Sequence, residues 1–264
     1  MNTSLPVVLV FAGHDPGGGA GIQADIETVA SLGGHAATVI TALTVQDTRD
    51  IVGFTPIDAT QVIAQARAIL EDMPVAVFKL GMPGSVDNAE VIHTILADYP
   101  DIPVVCDPVL ATGNGSVLGE AGLPEAIKTL LLPLTHILTP NSLEARALAP
   151  EADTLSACAL ALLDRGVDYV LVTGSHEPSA QVINRLFHDQ DLVDSFSWER
   201  LPHSYHGSGC TLAAAIAAQL ARKQDPVTAI RSAQAFTWHA LQRGYRPGLG
   251  QYLPNRCRGA ADED

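Results

Sequence analysis

The stretch VVLVFAG, at residues 7–13, carries no polar side chain. A strand of this kind is typical of a parallel sheet whose two faces are both covered by helices. The next segment, GHDPGGGAGIQAD at residues 13–25, contains five glycines, and a helix is expected to begin near Ile22. Glycines in such a turn let a ligand approach the backbone closely. The stretch therefore predicts an α/β fold, with either a ligand site or a merely flexible turn after the first strand.

Further apolar runs alternate with helical patterns along the chain. They are ATVIT, VAVFKLG, PVVCDP, HILTPN and YVLVTG, at residues 37–41, 75–81, 103–108, 136–141 and 169–174. This alternation predicts a mostly parallel central sheet with helices on both faces, a three-layer α/β/α arrangement. Two alternating runs at residues 181–188 and 192–201 predict an antiparallel hairpin at the sheet edge. Two helices, at residues 208–223 and 226–243, are expected to follow.

The chain shows no internal repeat, low-complexity linker or composition break that would mark a domain boundary. Residues 1–255 are therefore predicted to form a single domain. Residues 256–264, RCRGAADED, form a polar tail that is expected to fray.

The composition, with 47% hydrophobic and 17% charged residues, is that of a globular protein. No apolar run reaches the roughly 18 residues that cross a bilayer, and the first residues lack the basic region of a signal peptide, so a cytoplasmic protein is expected. Four widely spaced cysteines without a CxxC pair favour reduced thiols. The net charge of −14 argues against a nucleic-acid partner, because few cations are present to neutralise phosphates.

Polar residues follow several predicted strands, where open parallel sheets collect their ligand sites. Gln46, just past the second strand, could offer an amide donor and a carbonyl acceptor to a flat heterocycle, although most loop glutamines are solvated. Asp107 ends a strand, and Asn141 and Glu144 follow the next one. These oxygen ligands suit Mg²⁺. The alternatives are a helix cap for Asn141 and a helix-dipole contact for Glu144.

The segment HGSGC, at residues 206–210, opens a helix with two glycines. Its first-turn N–H groups and positive dipole end can bind an anion and lower the pKa of a thiol, so Cys210 is expected to be more acidic than Cys106 or Cys158. The alternative for Cys210 is a small apolar residue in packing. A cysteine hydrolase using His203 or His206 is disfavoured, because no protease signature accompanies them.

Seven motifs occur in one order along residues 7–243. They are AGHDPGGGAGIQAD, VITALTVQDT, KLGMPGS, CDPVLATGNG, LTPNSLEA, LVTGSH and HGSGCTLAAAIAA. In this order they resemble hydroxymethylpyrimidine/phosphomethylpyrimidine kinases of the thiamine pathway, in the ribokinase-like superfamily. The resemblance implies one ribokinase-like α/β domain, MgATP as phosphoryl donor, two successive phosphorylations of the hydroxymethylpyrimidine, and a homodimer.

The resemblance also implies roles for particular residues. The residues expected around the pyrimidine are Gly13, Ala20, Gln46, Met82 and Val109. Those expected to serve the metal and the phosphates are Asp107, Asn141 and Glu144, with Asp107 and Glu144 on the metal. Asn141, Thr173 and Gly174 are expected to lie toward ATP. Cys210 is expected to take the proton of the attacking hydroxyl, where related sugar kinases have aspartate, and the backbone of Gly207, Ser208 and Gly209 to stabilise the transferring group.

The chain departs from the family pattern at three places. It has His14-Asp15-Pro16 where S-D-S is common, Thr173-Gly174-Ser175-His176 where K-G-G-H is common, and GSGC where GTGC is usual. The absence of the lysine puts the expected nucleotide contacts in question, and Pro16 is expected to change the shape of the substrate loop. Two other functions stay open at this stage: a pyridoxal or pyridoxine kinase, and a non-catalytic pyrimidine-binding protein.

Overall fold

The computed structural model describes residues 5–110 and 122–257. Its strands form one nine-stranded sheet in the order β3-β2-β1-β4-β5-β6-β7-β8-β9. The strands are β1 (Val7–His14), β2 (His35–Gln46), β3 (Ile51–Pro56), β4 (Val75–Leu80), β5 (Val104–Cys106), β6 (Ile137–Leu138), β7 (Tyr169–Val172), β8 (Gln181–His188) and β9 (Asp191–Glu199). Six adjacent strands pair in parallel, in the order β2-β1-β4-β5-β6-β7, while β3, β8 and β9 pair with their neighbours in antiparallel fashion. The predicted parallel sheet and edge hairpin are confirmed.

Helices cover both faces of the sheet. They are α1 (Gly21–Ser31), α2 (Ala59–Asp72), α3 (Val86–Asp98), α4 (Leu123–Ala126), α5 (Ser142–Leu148), α6 (Leu155–Leu163), α7 (Ser208–Ala221) and α8 (Pro226–Gln242). A π-helical turn (Ile127–Leu131) and a 3₁₀ turn (Leu132–Leu134) join α4 to β6. None of the helices in the described ranges is long and apolar enough to span a membrane.

Strand β1 explains the three layers. Its alternate residues Val7, Leu9 and Phe11 belong to a core shared with α2, α3 and α6, whereas the intervening residues belong to a second core with α1, α7 and α8. Because successive side chains of a strand point to opposite faces, an all-apolar strand fills two cores at once. This is the arrangement that VVLVFAG predicted.

Strand β2 is longer than its sequence suggested. Residues 42–46, interpreted as lying past the second strand, continue β2 to Gln46, and the unpredicted strand β3 pairs with them in antiparallel fashion. This extension alternates apolar Leu43 and Val45, which are exposed, with polar Thr44 and Gln46. No helix within residues 5–110 and 122–257 covers Leu43 and Val45, so the extension lacks the continuous apolar run of the buried strands.

The segment after α8 returns to the body of the protein, and we call residues 244–256 the C-terminal strap. The Gln251 amide donates to the Thr48 carbonyl at 2.7 Å, and the His206 amide donates to the Tyr252 carbonyl at 2.9 Å. Arg256 is 2% exposed, so the interpretation of this residue as the start of a frayed tail is wrong. The rest of the predicted tail, from residue 258, and residues 111–115 of the CDPVLATGNG motif lie outside the described residues.

Candidate active site

A cavity of about 1040 Å³ lies at the carboxyl ends of the parallel strands. It is lined by residues that directly follow β1, β5, β6 and β7, and by the start of α7. Of the predicted site residues it includes Gly13, Ala20, Gln46, Met82, Asp107, Val109, Asn141, Glu144, Thr173, Gly207, Ser208, Gly209 and Cys210. Residues from distant parts of the sequence therefore meet in one space, as parallel strand ends require.

Gly174 is the predicted site residue that does not line the cavity. Its amide donates to Asn184 Oδ1 at 3.1 Å, and an added Cβ would lie 2.3 Å from the Ile183 carbonyl oxygen. Glycine is therefore needed here because β8 passes so closely. The contacts of Gly174 are with β8 and not with the cavity.

Helix α7 begins at a glycine turn beside the cavity. Gly207 has φ +83°, and an added Cβ would lie 1.8 Å from the carbonyl oxygen of Gly19. Both the left-handed backbone and the close approach exclude a side chain at this position. Among the described residues no side chain caps α7, so its first-turn amides are left for a ligand.

The expectation of an acidic Cys210 is wrong. Burial is the main cause that raises the pKa of the thiol to about 12; the Lys79 ammonium acts against it, and the charges of Asp107 and Asp25 act with it. Burial raises the pKa of Cys106 to about 12 as well, so Cys210 is not the more acidic of the two. The Cys210 thiol is hydrogen-bonded to Asp107. Desolvation by the surrounding protein outweighs the helix dipole, and the helix pattern alone could not reveal it.

Two buried carboxyl groups, Asp107 and Glu144, line the cavity, and the charge of each affects the other. Burial raises the pKa of Asp107 to about 6, although Lys79 opposes it. Burial, followed by the charge of Asp107, raises the pKa of Glu144 to about 8. Two such groups repel when both are ionised, and a bound cation would relieve that repulsion.

Asn141 and Glu144 also form a capping box at the start of α5. Asn141 Oδ1 accepts from the amides of Leu143 and Glu144 at 2.9 and 3.0 Å, and Glu144 Oε2 accepts from the Asn141 amide at 2.9 Å. The capping alternative for Asn141 is therefore present. It coexists with the position of both side chains in the cavity wall.

Asp107 and Glu144 are a suitable donor set for magnesium. Mg²⁺ in proteins is usually held by one or two carboxylates together with water and substrate phosphates. Residues 5–110 and 122–257 contain no group of three or more His, Cys, Asp or Glu side chains that could hold a metal. A magnesium ion at these two carboxylates would complete its coordination with nucleotide phosphates and water.

Gln46 presents an unused acceptor to the cavity. Its Nε2 donates to Thr44 Oγ1 at 2.7 Å, whereas its buried Oε1 has no hydrogen-bond partner in the described part of the chain. A buried acceptor without a partner is costly, so a ligand with an N–H group in this place would be stabilised.

Comparison with known proteins identifies the family to which this geometry belongs. The phosphomethylpyrimidine kinase family model matches residues 15–255. The chain belongs to the phosphomethylpyrimidine kinase family. Relatives named hydroxymethylpyrimidine/phosphomethylpyrimidine kinase include one from Streptomyces coelicolor, 36% identical over 93% of this chain and 92% of its own. Another, from Haemophilus influenzae, is 35% identical over 94% and 95%.

Solved structures place the chain in the ribokinase-like fold. Bacillus subtilis pyridoxal kinase in complex with ADP has a TM-score of 0.86 at 27% identity, covering 96% of this chain and 98% of its own. Phosphomethylpyrimidine kinase from Clostridium difficile 630 has a TM-score of 0.78 at 28% identity, covering 89% and 99%. As a member of this kinase family the chain is a phosphotransferase, and ATP is its co-substrate.

A buried ion pair between Asp25 and Lys79, which lines the cavity, was not predicted from the sequence. Lys79 Nζ lies 2.9 Å from Asp25 Oδ1, and both side chains are 0% exposed. Burial alone would lower the pKa of Lys79, but the charges of Asp25, Cys210 and Asp107 outweigh it and raise the pKa above its ordinary value. The one sign of this ion pair in the sequence was a single lysine within the otherwise apolar run VAVFKLG.

Asp15 organises the glycine-rich loop at residues 15–20, and the sequence did not single it out. Its carboxylate accepts from the amides of Gly17, Gly19 and Ala20 at 2.7, 2.9 and 2.8 Å. His206 Nε2 lies 3.0 Å from Asp15 Oδ2. Burial would raise the pKa of Asp15, but the hydrogen bonds from His206 and the amides lower it. Asp15 therefore stays ionised and ties the loop to the segment that precedes α7.

Another part of the cavity wall is polar and aromatic, and its residues lie outside the seven motifs. Asn184 Nδ2 and Trp198 Nε1 both donate to Gln234 Oε1, at 2.8 and 3.2 Å. The rings of Trp198 and Trp238 stack with centroids 6.1 Å apart. A wall with large ring faces suits a flat, largely apolar group of a ligand.

Proposed function

We propose that this kinase transfers the terminal phosphoryl group of ATP to the hydroxymethyl group of 4-amino-5-hydroxymethyl-2-methylpyrimidine. It then phosphorylates the monophosphate to the diphosphate, for thiamine biosynthesis. The observation that carries the proposal is the meeting of the family motifs in one cavity, with Gln46 at one part of its wall and the uncapped start of α7 at another. The names of the relatives support the same substrate.

The pyrimidine would lie among Gly13, Ala20, Gln46, Met82 and Val109. The unpaired Oε1 of Gln46 would accept from the 4-amino group of the ring. Met82 and Val109, which pack with Ala42, would supply apolar contact to the ring faces. This end of the cavity would then orient the hydroxymethyl group toward α7.

The phosphates would lie at the start of α7. The backbone amides of the turn at Gly207, Ser208 and Gly209 would donate to the transferring group, and Asn141 and Thr173 would contact the nucleotide. Asp107 and Glu144 would hold Mg²⁺, which when bound neutralises phosphate charge. Positive charge beside Asp107 would also lower the pKa of the Cys210 thiol, since it offsets the carboxylate that raises this pKa. Once it has lost its own proton, the Cys210 thiolate would take the proton of the attacking hydroxyl.

The role of Gln46 is tested by Gln46→Leu. We expect the KM for the pyrimidine to rise about tenfold, because one hydrogen bond to a buried partner is lost, while the KM for ATP is unchanged. Steady-state kinetics with each substrate varied in turn measures both constants. Gln61→Leu, at an exposed position on α2, is the matched control. Equal changes in both KM values would place Gln46 outside the pyrimidine end.

A second candidate function is a pyridoxal kinase. The structure of Staphylococcus aureus pyridoxal kinase in complex with AMP-PCP and pyridoxal has a TM-score of 0.85 at 27% identity, covering 96% of this chain and 94% of its own. The fold thus suits either flat ring that bears a hydroxymethyl group. The unpaired acceptor of Gln46 favours the aminopyrimidine.

The deciding experiment is an ADP-release assay with ATP and Mg²⁺. The acceptors are the hydroxymethylpyrimidine, its monophosphate, pyridoxal and pyridoxine. We expect the highest kcat/KM with the pyrimidine, turnover of its monophosphate, and loss of turnover when EDTA removes the metal. Faster turnover of pyridoxal or pyridoxine would establish the second candidate. Tight pyrimidine binding without turnover of any acceptor would indicate a binding protein and refute the kinase proposal.

We also propose that the protein acts in the cytoplasm as a homodimer of single-domain subunits, with Arg256 included in the domain. The exposed apolar side chains of Leu43, Val45 and Val52 lie on the β2–β3 extension, where a second copy could cover them. Sedimentation equilibrium tests the dimer, and a mass of 27.7 kDa at assay concentrations would contradict it.

A further inference from the structure

Arg256, in the C-terminal strap, is a buried cation with a hydrogen-bond partner at each of its three nitrogens. Its Nε donates to Thr211 Oγ1 at 2.8 Å, and one terminal nitrogen lies 3.0 Å from Glu27 Oε2. The same nitrogen reaches the Gly18 carbonyl at 3.5 Å, and the other donates to the Gly19 carbonyl. A buried charge is tolerated only when it is hydrogen-bonded and paired in this way. The guanidinium therefore joins the glycine-rich loop to α7.

The connection continues from Thr211 to the turn that opens α7. Thr211 Oγ1, which accepts from Arg256, donates to the Gly207 carbonyl oxygen at 2.7 Å. In a planar trans peptide the carbonyl and the next N–H point in opposite directions. Holding the Gly207 carbonyl toward Thr211 therefore aims the Ser208 amide away from the helix body, toward the cavity.

The close packing around Gly207 leaves little freedom in this connection. An added Cβ on Gly207 would lie 1.8 Å from the Gly19 carbonyl oxygen and 2.9 Å from a terminal nitrogen of Arg256. On the other side of the loop, Asp15 contacts His206. The glycine-rich loop is thus held against the start of α7 by two ties, one on each side of Gly207.

We propose that Arg256 is a positioning residue for phosphoryl transfer, which sets the spacing between the glycine-rich loop and the amides of Ser208 and Gly209. The inference rests on the proposed function, in which the loop contacts the pyrimidine and the amides contact the transferring phosphoryl group. Arg256 acts through Gly19 on one part of the site and through Thr211 on the other. Small errors in the distance between two reacting groups lower the rate far more than they weaken binding.

The test compares Arg256→Met with Arg67→Met, which removes an exposed arginine paired with Asp98 at 2.7 Å. We expect Arg256→Met to lower kcat about 100-fold, with the KM for ATP unchanged within about threefold, and Arg67→Met to match the unaltered protein. In Arg256→Ala, added guanidinium should restore kcat to about a tenth or more of that of the unaltered protein, because the cation can occupy the vacated space. A folded Arg256→Met variant with kcat within about twofold of the unaltered protein would overturn the proposal.

A second variant covers the case in which Arg256→Met does not fold. Thr211→Val keeps the shape of residue 211 but removes the hydroxyl between Arg256 and Gly207. We expect a kcat about tenfold lower and a lowered urea unfolding midpoint with the transition still cooperative, because the buried Arg256 Nε loses its acceptor. An unchanged kcat in the folded variant would reject the positioning role. If the unaltered protein phosphorylates none of the four acceptors, the proposed function fails instead, so the two failures are distinguishable.

Discussion

Replacement of Cys210 by alanine is expected to lower kcat by ~10²–10⁴-fold, the range for loss of a general base. The KM for the pyrimidine should change only a few-fold, because the thiol is assigned to the proton of the attacking hydroxyl and not to the ring. Single-turnover kinetics with saturating ATP and Mg²⁺ measures the chemical step directly. Cys158→Ala is the matched control, since Cys158 is buried in α6, outside the cavity.

Cys210→Ser separates two roles that alanine removes together. A serine hydroxyl can keep the hydrogen bond to Asp107, but it ionises far less readily than a thiol. If the thiol accepts the proton, we expect the serine variant to be as slow as the alanine variant. A serine variant near normal activity would make Cys210 a hydrogen-bond donor to Asp107. An unchanged kcat in both variants would reduce Cys210 to packing.

Replacement of Lys79 by methionine is expected to lower the free energy of unfolding by about 3–5 kcal/mol, because Asp25 is left as an uncompensated buried charge. The folded pKa of Lys79 is raised above its ordinary value of 10.5, so the ammonium contributes its full stability below pH 10.5. The contribution is lost only as the pH rises through the folded pKa. Burial raises the pKa of Asp25 and Lys79 lowers it, so this pKa rises further in the variant. Urea unfolding should therefore show a loss at pH 9 that is no smaller than the loss at pH 7.

Two further variants check this explanation. Lys128→Met breaks the pair with the exposed Glu125, which at the surface is worth no more than about 1 kcal/mol. Adding Asp25→Asn to Lys79→Met should recover much of the lost stability, since the unpaired charge is then removed as well. A loss below about 1 kcal/mol for Lys79→Met alone would contradict a tightly paired, ionised Lys79.

The parts of the molecule that local pattern determines could be predicted from the sequence. The apolar run at residues 7–13 specified a strand buried on both faces, and β1 fills two cores. The alternating runs around residues 188–191 specified the β8–β9 hairpin. The glycine turns were recognised because left-handed backbone and close approach need glycine, as Gly207 shows. Each of these features depends on neighbours along the chain.

The features that the sequence did not reveal depend on distant contacts. The acidity of Cys210 depends on burial and on Asp107 and Asp25, which lie far from it in sequence. Arg256 stands in a polar stretch, and only its place between Gly19 and Thr211 explains its burial. Lys79 is a charged residue in a core strand, and only Asp25 from α1 makes this tolerable. Local patterns cannot identify such partners.

The contact between Arg256 and Gly19 joins positions 237 residues apart in the chain. Closing so long a loop is entropically costly, and contacts of this separation form late in folding. During synthesis, the strands, helices and pyrimidine end could assemble before the guanidinium that ties the glycine-rich loop to α7 has been added. Catalytic competence would then be acquired only once residue 256 has been synthesised and has reached Gly19, and turnover would report on this long-range contact more sharply than any spectroscopic measure of secondary structure.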